Sequence, residues 1–263
     1  MKLALVQSAV REQAEDNLHH IKHIFDLLPQ DIDVVVLPEM FITPYENQYF
    51  AQNSVAVGDK RYHAIADLAK MHSVYLVAGS VPEKDNDTLY NTTFVFDETG
   101  KQIAKYRKMH LFSITYPDGT QYNEGDVLKA GEEIVTVDTP FGKLGLMICF
   151  DVRFPYLAEA LQKQDVDVII VPGAFNQYTG PLHWHTTFRA RAIDNQLFIV
   201  GCSPARESFG NYEVYGHTLA VNPLGEIIDE CLEYEDVLIV DLDLEKIRDI
   251  REKLPIINNQ KTI

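Results

Sequence analysis

The chain has 263 residues, of which 46% are hydrophobic and 24% are charged, a composition typical of globular proteins. Its net charge of −16, with 39 acidic and 23 basic residues, argues against a nucleic-acid partner because phosphate binding needs clustered Lys and Arg. No segment approaches the run of about 18 apolar residues that a membrane span needs, so no membrane partner is expected.

Strand and helix patterns alternate along the first half of the chain. Apolar runs predict strands, and apolar residues spaced three or four apart predict amphipathic helices. The predicted strands are Lys2–Val10, Asp33–Leu37, Val74–Gly79, Leu89–Phe96 and Gln102–Tyr106, and the predicted helices are Gln13–Leu28 and Lys60–His72. The first run is short and lacks an A-x-A site, so a strand is favoured over a signal peptide.

A polar segment rich in Gly, Asp, Pro and Tyr, Ser113–Glu132, separates the two halves, and ordered loops of this length are usually functional. Beyond it, the predicted strands are Ile134–Val137, Lys143–Ile148, Val166–Val171, Leu197–Cys202, Tyr215–Val221, Glu226–Asp229 and Val237–Leu242, and the predicted helices are Pro155–Lys163, Leu182–Asn195 and Leu244–Lys253. The halves follow a similar order without a linker. We therefore expect one α/β domain, 1–263, with helices outside two sheets.

Three apolar runs end on chemically reactive groups: DVVVLPEM on Glu39, KYRKMHLF around Lys108, and LGLMICFD on Cys149. Taken singly, each has an ordinary explanation as a solvated acid, a surface lysine or a small buried hydrophobe. Together they are the groups that thiol-based amide hydrolysis needs, since a thiol requires a base and the developing oxyanion requires a cation. The backbone N–H of Phe150 is expected to help if Cys149 lies on a sharp strand-to-helix turn.

The motifs VVLPEMF, YRKMHLF and GLMICFDVRFP together resemble those of the nitrilase superfamily, carbon–nitrogen hydrolases with a Glu-Lys-Cys triad. The resemblance continues through VPGAFN, GPLHWHTTFRARAIDNQLFIVGCSPAR and YGHTLAVNPLGEII, and so covers essentially the whole chain. PGAFN, TGPLHW and SPAR resemble the omega-amidase branch, which hydrolyses the terminal amide of alpha-ketoglutaramate or alpha-ketosuccinamate. The resemblance implies a four-layer α-β-β-α sandwich, a small-molecule amide substrate, no cofactor and a homodimer.

The same resemblance assigns a role to each motif residue. It makes Glu39 the general base, Lys108 the oxyanion-binding cation and Cys149 the nucleophile of a thioester mechanism, with Glu124 positioning the lysine and the substrate. We expect the substrate to be lined by Tyr45, Phe175, Asn176 and His185. Arg153 either receives a substrate carboxylate or braces the turn through a buried ion pair, and the second reading is favoured.

Several weaker signals leave alternatives open. Cys202 also ends an apolar strand but has no accompanying Glu–Lys pattern, and the absence of a CxxC pair favours a reducing, cytoplasmic location over disulfides or zinc. His183 and His185 in HWH lack a third ligand motif, so no metal site is expected. Related omega-amidases often carry glutamate at the position of His185. Amidases of deaminated glutathione or N-carbamoyl amines, and a catalytically silent relative, therefore remain possible.

Overall fold

Strands and helices alternate along the chain in the computed structural model, which describes residues 1–210 and 212–259. The strands up to the middle of the chain are β1 (Lys2–Gln7), β2 (Val34–Val36), β3 (Tyr75–Val77), β4 (Val81–Asp85), β5 (Thr88–Phe96), β6 (Gln102–Arg107), β7 (Ser113–Thr115) and β8 (Gln121–Asn123). They are followed by β9 (Thr136–Thr139), β10 (Gly142–Leu146), β11 (Val168–Pro172), β12 (Phe198–Cys202), β13 (Ser208–Phe209), β14 (Tyr212–Glu213), β15 (Leu219–Val221), β16 (Ile227–Glu230) and β17 (Asp236–Asp241). The α-helices are α1 (Ala14–Leu27), α2 (Asn47–Phe50), α3 (Lys60–His72), α4 (Pro155–Gln162), α5 (Gly180–Asn195) and α6 (Glu245–Lys253). Short 3₁₀ helices cover Glu124–Asp126, Cys149–Arg153 and Ile257–Asn259.

Two main β-sheets contain most of these strands. The first has the order β17-β1-β2-β3-β5-β4, with β6 also paired to β5, and the second has the order β16-β15-β12-β11-β10-β9. The central strands of each sheet, β1-β2-β3 and β10-β11-β12, are parallel. Because parallel strands end at the same edge of a sheet, the segments that follow β2, β10 and β11 can converge on one site.

The side chains of the first sheet alternate between two apolar clusters. Leu3 and Leu5 of β1 pack in the cluster that contains the second sheet, whereas Ala4 and Val6 pack with α1 and α3. Helices α4 and α5 contribute to the cluster of the second sheet. The layers are therefore helix, sheet, sheet and helix, and the four-layer α-β-β-α prediction is confirmed.

The main differences from the predicted elements come from backbone features that apolar patterns do not report. The predicted strand Tyr215–Val221 is shortened to β15, because Gly216 and His217 have φ values of 80° and 65°, outside the strand region. Helix α5 begins two residues earlier than predicted, at Gly180, since Pro181 fits the first turn. The segment Ser113–Glu132 contains the β7-β8 hairpin rather than loop alone.

The turn after β3 packs closely against the segment that contains Glu39. Gly79 has a φ of 41°, and a Cβ added there would lie 2.1 Å from the carbonyl oxygen of Pro38. Next to it, the backbone N–H of Ser80 donates to Pro38 O at 3.2 Å, and the Ser80 hydroxyl accepts from Met40 N at 3.1 Å. The position of Glu39 thus depends on close contact between two backbone segments.

None of the helices in the described part of the chain combines the length and apolar character required to cross a membrane.

We expect Gly79→Ala to lower the free energy of unfolding by at least about 3 kcal/mol, because the methyl group must displace backbone as well as adopt a left-handed conformation. Gly58→Ala is the matched control: its φ is 85°, but nothing lies within 4 Å of the added Cβ. Left-handed strain alone should cost about 1–2 kcal/mol there. If urea unfolding showed the same decrease in the free energy of unfolding for both variants, close packing at Gly79 would be unimportant.

Candidate active site

Four ionisable side chains from four separate segments meet in the interior of the molecule. Glu39 follows β2, Lys108 follows β6, Glu124 begins the 3₁₀ turn after β8, and Cys149 follows β10. The three charged side chains are completely buried, and Cys149 is 3% exposed. Charges at this depth are tolerated only when they are paired and hydrogen-bonded, so their partners decide what the site can do.

The Lys108 ammonium lies between two carboxylates. Its Nζ is 2.9 Å from Glu39 Oε1 and 2.8 Å from Glu124 Oε2, and it also donates to the Tyr45 hydroxyl at 3.2 Å. Burial opposes the charged form, but the negative charges of Glu124 and Glu39 outweigh it and raise the pKa of Lys108 above its ordinary value. The ammonium is therefore a fixed positive charge at neutral pH.

Glu39 accepts hydrogen bonds on both of its oxygens. Asn91 Nδ2 donates to Oε1 at 2.9 Å, and the backbone N–H of Ala174 donates to Oε2 at 2.7 Å. Burial raises the pKa of Glu39, and repulsion from Glu124 adds to this, while the charge of Lys108 opposes it; the pKa remains above its ordinary value. A carboxylate with a raised pKa is a stronger base, as general-base catalysis near neutrality requires.

Glu124 is held by four donors. Its Oε1 accepts from the Tyr45 hydroxyl at 2.8 Å and from Asn91 Nδ2 at 3.2 Å, and its Oε2 accepts from the Phe112 backbone N–H at 2.6 Å and from Lys108. The carboxylate is thus occupied in holding the lysine and Tyr45. Asn91 was not identified from the sequence, because a single Asn in the strand pattern YNTTF gives no signal of its contacts.

Cys149 lies on a sharp turn between β10 and the following 3₁₀ helix. Its φ of 47° is in the left-handed region, where a non-glycine residue costs about 1–3 kcal/mol. Asp151 secures the turn: its carboxylate accepts from Ile148 N at 3.0 Å, from the Tyr106 hydroxyl at 2.7 Å and from His110 N at 3.0 Å. The sequence did not single out Asp151, because two of its donors, Tyr106 and His110, come from a distant segment.

The Cys149 thiol is protonated in the resting site. Burial and the charge of Glu39 raise the pKa of the thiol well above its ordinary value, and the charge of Lys108 only partly offsets them. Hydrogen bonding between the thiol and the Glu39 carboxylate contributes to the pKa of both groups. Glu39 is therefore the neighbouring base that can take the thiol proton when a substrate carbonyl arrives.

A small cleft of about 170 Å³ opens beside Cys149. Its lining residues are Phe112, Cys149, Phe150, Arg153, Phe175, Asn176, Thr179 and Tyr212. Phe175 and Asn176, which were expected to line the substrate, lie in this cleft, and so does Phe150, whose backbone N–H was expected to bind the oxyanion. Tyr45 contacts Lys108 and Glu124 and does not line the cleft. A larger surface cleft of about 680 Å³ is lined by charged residues, including Lys105 and Glu133, and contains no nucleophile.

Arg153 lies in the cleft without an anionic partner. Among the described residues its guanidinium forms no ion pair with a carboxylate, and the favoured prediction of a bracing ion pair is wrong. Its Nη1 contacts His183 Nδ1 at 2.6 Å, its Nε is buried without a hydrogen-bond partner, and its Cζ is 4.3 Å from the Phe175 ring centroid. The turn is held by Asp151, which leaves the charge of Arg153 available to a ligand.

His185 does not line the cleft, contrary to the sequence-based expectation. Its Nε2 lies 2.8 Å from Glu230 Oε1, beside His217. His183 and His185 are two residues apart on α5, and a helical step of about 100° per residue turns their side chains to different faces.

A family model described as carbon-nitrogen hydrolase matches residues 2–252. The chain belongs to the carbon–nitrogen hydrolase family. Omega-amidase NIT2 of Homo sapiens is 37% identical over 262 residues, covering 99% of this chain and 95% of that protein. Omega-amidase NIT3 of Saccharomyces cerevisiae is 40% identical over 237 residues, covering 88% of this chain and 81% of that protein.

Solved structures agree with the family assignment. The crystal structure of Saccharomyces cerevisiae Nit3, a member of branch 10 of the nitrilase superfamily, has a TM-score of 0.90 at 37% identity and covers 100% of this chain and 97% of that chain. A CN-hydrolase superfamily protein from Xanthomonas campestris, at 21% identity, shares the fold with a TM-score of 0.87 over 100% of this chain and 98% of that chain. This carbon–nitrogen hydrolase is an amidase.

We expect Lys108→Met to lower the free energy of unfolding by about 3–5 kcal/mol at pH 8, because it leaves two buried carboxylates without their cation. The pKa of Glu39 should then rise further, so that the folded variant binds more protons than the unfolded chain. Its stability should therefore be greater at pH 5 and be lost as the pH rises through the raised pKa.

Urea unfolding between pH 5 and 8 measures this effect. Lys105→Met is the matched control from the same KYRK motif: Lys105 is partly exposed, and its partner Glu83 keeps Arg107. The control should lose less than about 1 kcal/mol. A Lys108→Met protein that becomes less stable on acidification would contradict the proposed charge balance.

Proposed function

We propose that this amidase hydrolyses a small primary amide through a thioester on Cys149, with Glu39 as general base. The observation that carries the proposal is that Cys149, a protonated thiol on a left-handed backbone, lies beside the buried Glu39 carboxylate, whose pKa is raised. The Lys108 ammonium and the backbone N–H of Phe150 bind the oxyanion. Glu124 keeps Lys108 in position.

The proposed reaction has two halves that both use Glu39. The Cys149 sulfur attacks the amide carbon while its proton passes to Glu39, and the carbonyl oxygen becomes an oxyanion. The intermediate collapses as the C–N bond breaks, and Glu39 returns the proton to the leaving ammonia. Glu39 then takes a proton from water, which attacks the thioester. As the C–S bond breaks, Glu39 returns this proton to the Cys149 sulfur, and the carboxylic acid product ionises to the carboxylate.

Glu124 is proposed as a positioning residue rather than a second base. Its four hydrogen bonds already involve both oxygens, and one of its donors is the lysine. Removing its charge would free the Lys108 ammonium to move and would weaken like-charge repulsion on Glu39, which lowers the base strength. Both effects reduce turnover without requiring contact between Glu124 and the substrate.

The substrate class that fits best is a short amide with a carboxylate at its other end, such as alpha-ketoglutaramate or alpha-ketosuccinamate. Arg153 supplies an unpaired guanidinium in the cleft, and such a group binds carboxylates with favourable geometry. The relatives named omega-amidases support the same class.

His183 suits this arrangement because it gives Arg153 a neutral partner. Burial and the adjacent guanidinium lower the pKa of His183, so the imidazole accepts a hydrogen bond from Arg153 without cancelling its charge. A carboxylate in this position would have paired with the arginine and competed with the substrate.

We also infer that residues 1–263 act as one catalytic domain, as a cytoplasmic homodimer. Exposed apolar side chains on α4 and α5, namely Tyr156 and Leu182, support an association surface beside the cleft. The three free cysteines support a reducing compartment.

Rapid quenching during turnover of alpha-ketoglutaramate should yield an acyl adduct on the peptide containing Cys149, as detected by mass spectrometry. The adduct should be absent in Cys149→Ala. It should persist in Cys202→Ala, because Cys202 is buried between strands with its thiol donating to Val6 O and Val36 O. An adduct mapped to Cys202, or turnover by Cys149→Ala, would overturn the assignment.

We expect Arg153→Gln to raise the KM for alpha-ketoglutaramate by about 10–100-fold, since a charged hydrogen bond is worth about 1.5–3 kcal/mol. The value of kcat/KM for butyramide, which lacks the carboxylate, should change less than about threefold. Arg248→Gln, a change at an exposed arginine of α6, is the matched control and should alter neither value. Equal losses for both amides would assign Arg153 to the turn rather than to substrate recognition.

A further inference from the structure

A second cluster of titratable side chains lies away from the cleft, where α5 meets the second sheet. It consists of His185 on α5, His217 between β14 and β15, and Glu230 at the end of β16. Glu230 Oε1 is 2.8 Å from His185 Nε2 and 2.6 Å from His217 Nδ1. One potential ligand atom from each residue lies within 4.8 Å of the other two.

His217 is held in place by its surroundings. The backbone of His217 is in the left-handed region, with its N–H donating to Leu232 O at 3.1 Å and its carbonyl accepting from Trp184 Nε1 at 2.7 Å. Its ring stacks on Tyr215 with a centroid separation of 4.2 Å. A side chain fixed in this way loses little entropy when it binds a ligand.

Two imidazoles and one carboxylate are a donor set that transition-metal ions prefer. Zn²⁺ binds His nitrogen and Glu oxygen at about 2.0–2.2 Å, which places tetrahedral ligand atoms about 3.3 Å apart. The hydrogen-bonded separations of 2.6 and 2.8 Å would open to this value with a shift of about half an ångström in the Glu230 side chain. A fourth position would remain for water.

The cluster is also accessible to a cation from solution. The side chains of His185, His217 and Glu230 are 30%, 16% and 24% exposed, so the ligands are neither fully buried nor fully solvated. The net charge of −16 favours the approach of a cation.

We propose that His185, His217 and Glu230 form a binding site for a divalent transition-metal ion such as Zn²⁺. The ion would join α5 to the β14–β15 connection and to β16. Trp184 precedes His185 and packs beside Gly173, where an added Cβ would lie 3.2 Å from the indole and 3.4 Å from Cys149 Cα. Metal binding would thus stabilise the helix that supports the nucleophile turn, in a structural role with no contact to the substrate.

The test uses the 263-residue chain treated with a chelator and carrying Cys149→Ala, so that this thiol cannot supply a ligand. Calorimetric titration with Zn²⁺ should show one equivalent of saturable binding. Co²⁺ should give a visible absorption band of tetrahedral intensity. At a hundredfold excess of Zn²⁺ over its dissociation constant, Tm should rise by about 5–10 °C.

Two ligand variants locate the site in the same background. His185→Ala and the near-isosteric Glu230→Gln should each weaken Zn²⁺ binding at least tenfold and abolish the Tm increase. His63→Ala, at an exposed histidine of α3, is the control and should bind as the parent does. The proposal would be overturned if the parent showed no saturable Zn²⁺ binding, or if both ligand variants bound Zn²⁺ as tightly as the parent. The three residues would then be a hydrogen-bonded His-Glu-His cluster only.

Discussion

The buried Lys108 ammonium is the interaction on which the rest of the site depends. It compensates two carboxylates that could not otherwise remain ionised at this depth, and the three charges together carry a net charge of −1. Desolvation makes such a group costly unless its remaining lone pairs are hydrogen-bonded. Asn91 and the backbone of Ala174 and Phe112 provide those bonds, so the segments around β2, β5, β8 and β11 must meet in one arrangement.

This charge balance also bears on how Cys149 becomes active in the proposed mechanism. Because Lys108 is already matched by Glu39 and Glu124, it has little capacity to stabilise a resting thiolate, and the pKa of Cys149 is raised rather than lowered. In the mechanism that we propose, a proton leaves the thiol as the new bond forms, and the Glu39 carboxylate beside it has the raised pKa needed to take that proton. In the same proposed step, the proton that reaches Glu39 neutralises one of the two carboxylates beside Lys108, so the ammonium becomes available to the negative charge that develops on the substrate oxygen.

The sequence predicted the layers and the reactive residues better than it predicted their supports. Glu39 and Cys149 follow buried parallel strands, so their convergence follows from sheet geometry. Asn91 and Asp151 are polar residues with partners that are distant in sequence, and no periodicity reveals those contacts. The sequence analysis favours an ion pair for Arg153 because buried charges are usually paired, but Asp151 secures the turn through donors other than Arg153, whose guanidinium contacts His183 instead of a carboxylate.

Helix α5 shows how three consecutive residues can serve three different parts of the molecule. A step of about 100° per residue separates the directions of His183, Trp184 and His185. The first reaches Arg153 in the cleft, and the last reaches Glu230 at the second sheet. Between them, the fully buried indole packs against Phe175 at 4.9 Å. A rotation of this helix would therefore disturb three contacts together. These are the contact of His183 with Arg153, the packing of Trp184 on Phe175 and the hydrogen bond between His185 and Glu230. An ion bound at His185, as we propose, would therefore hold the helix in one rotation and keep His183 and Trp184 in position near Cys149.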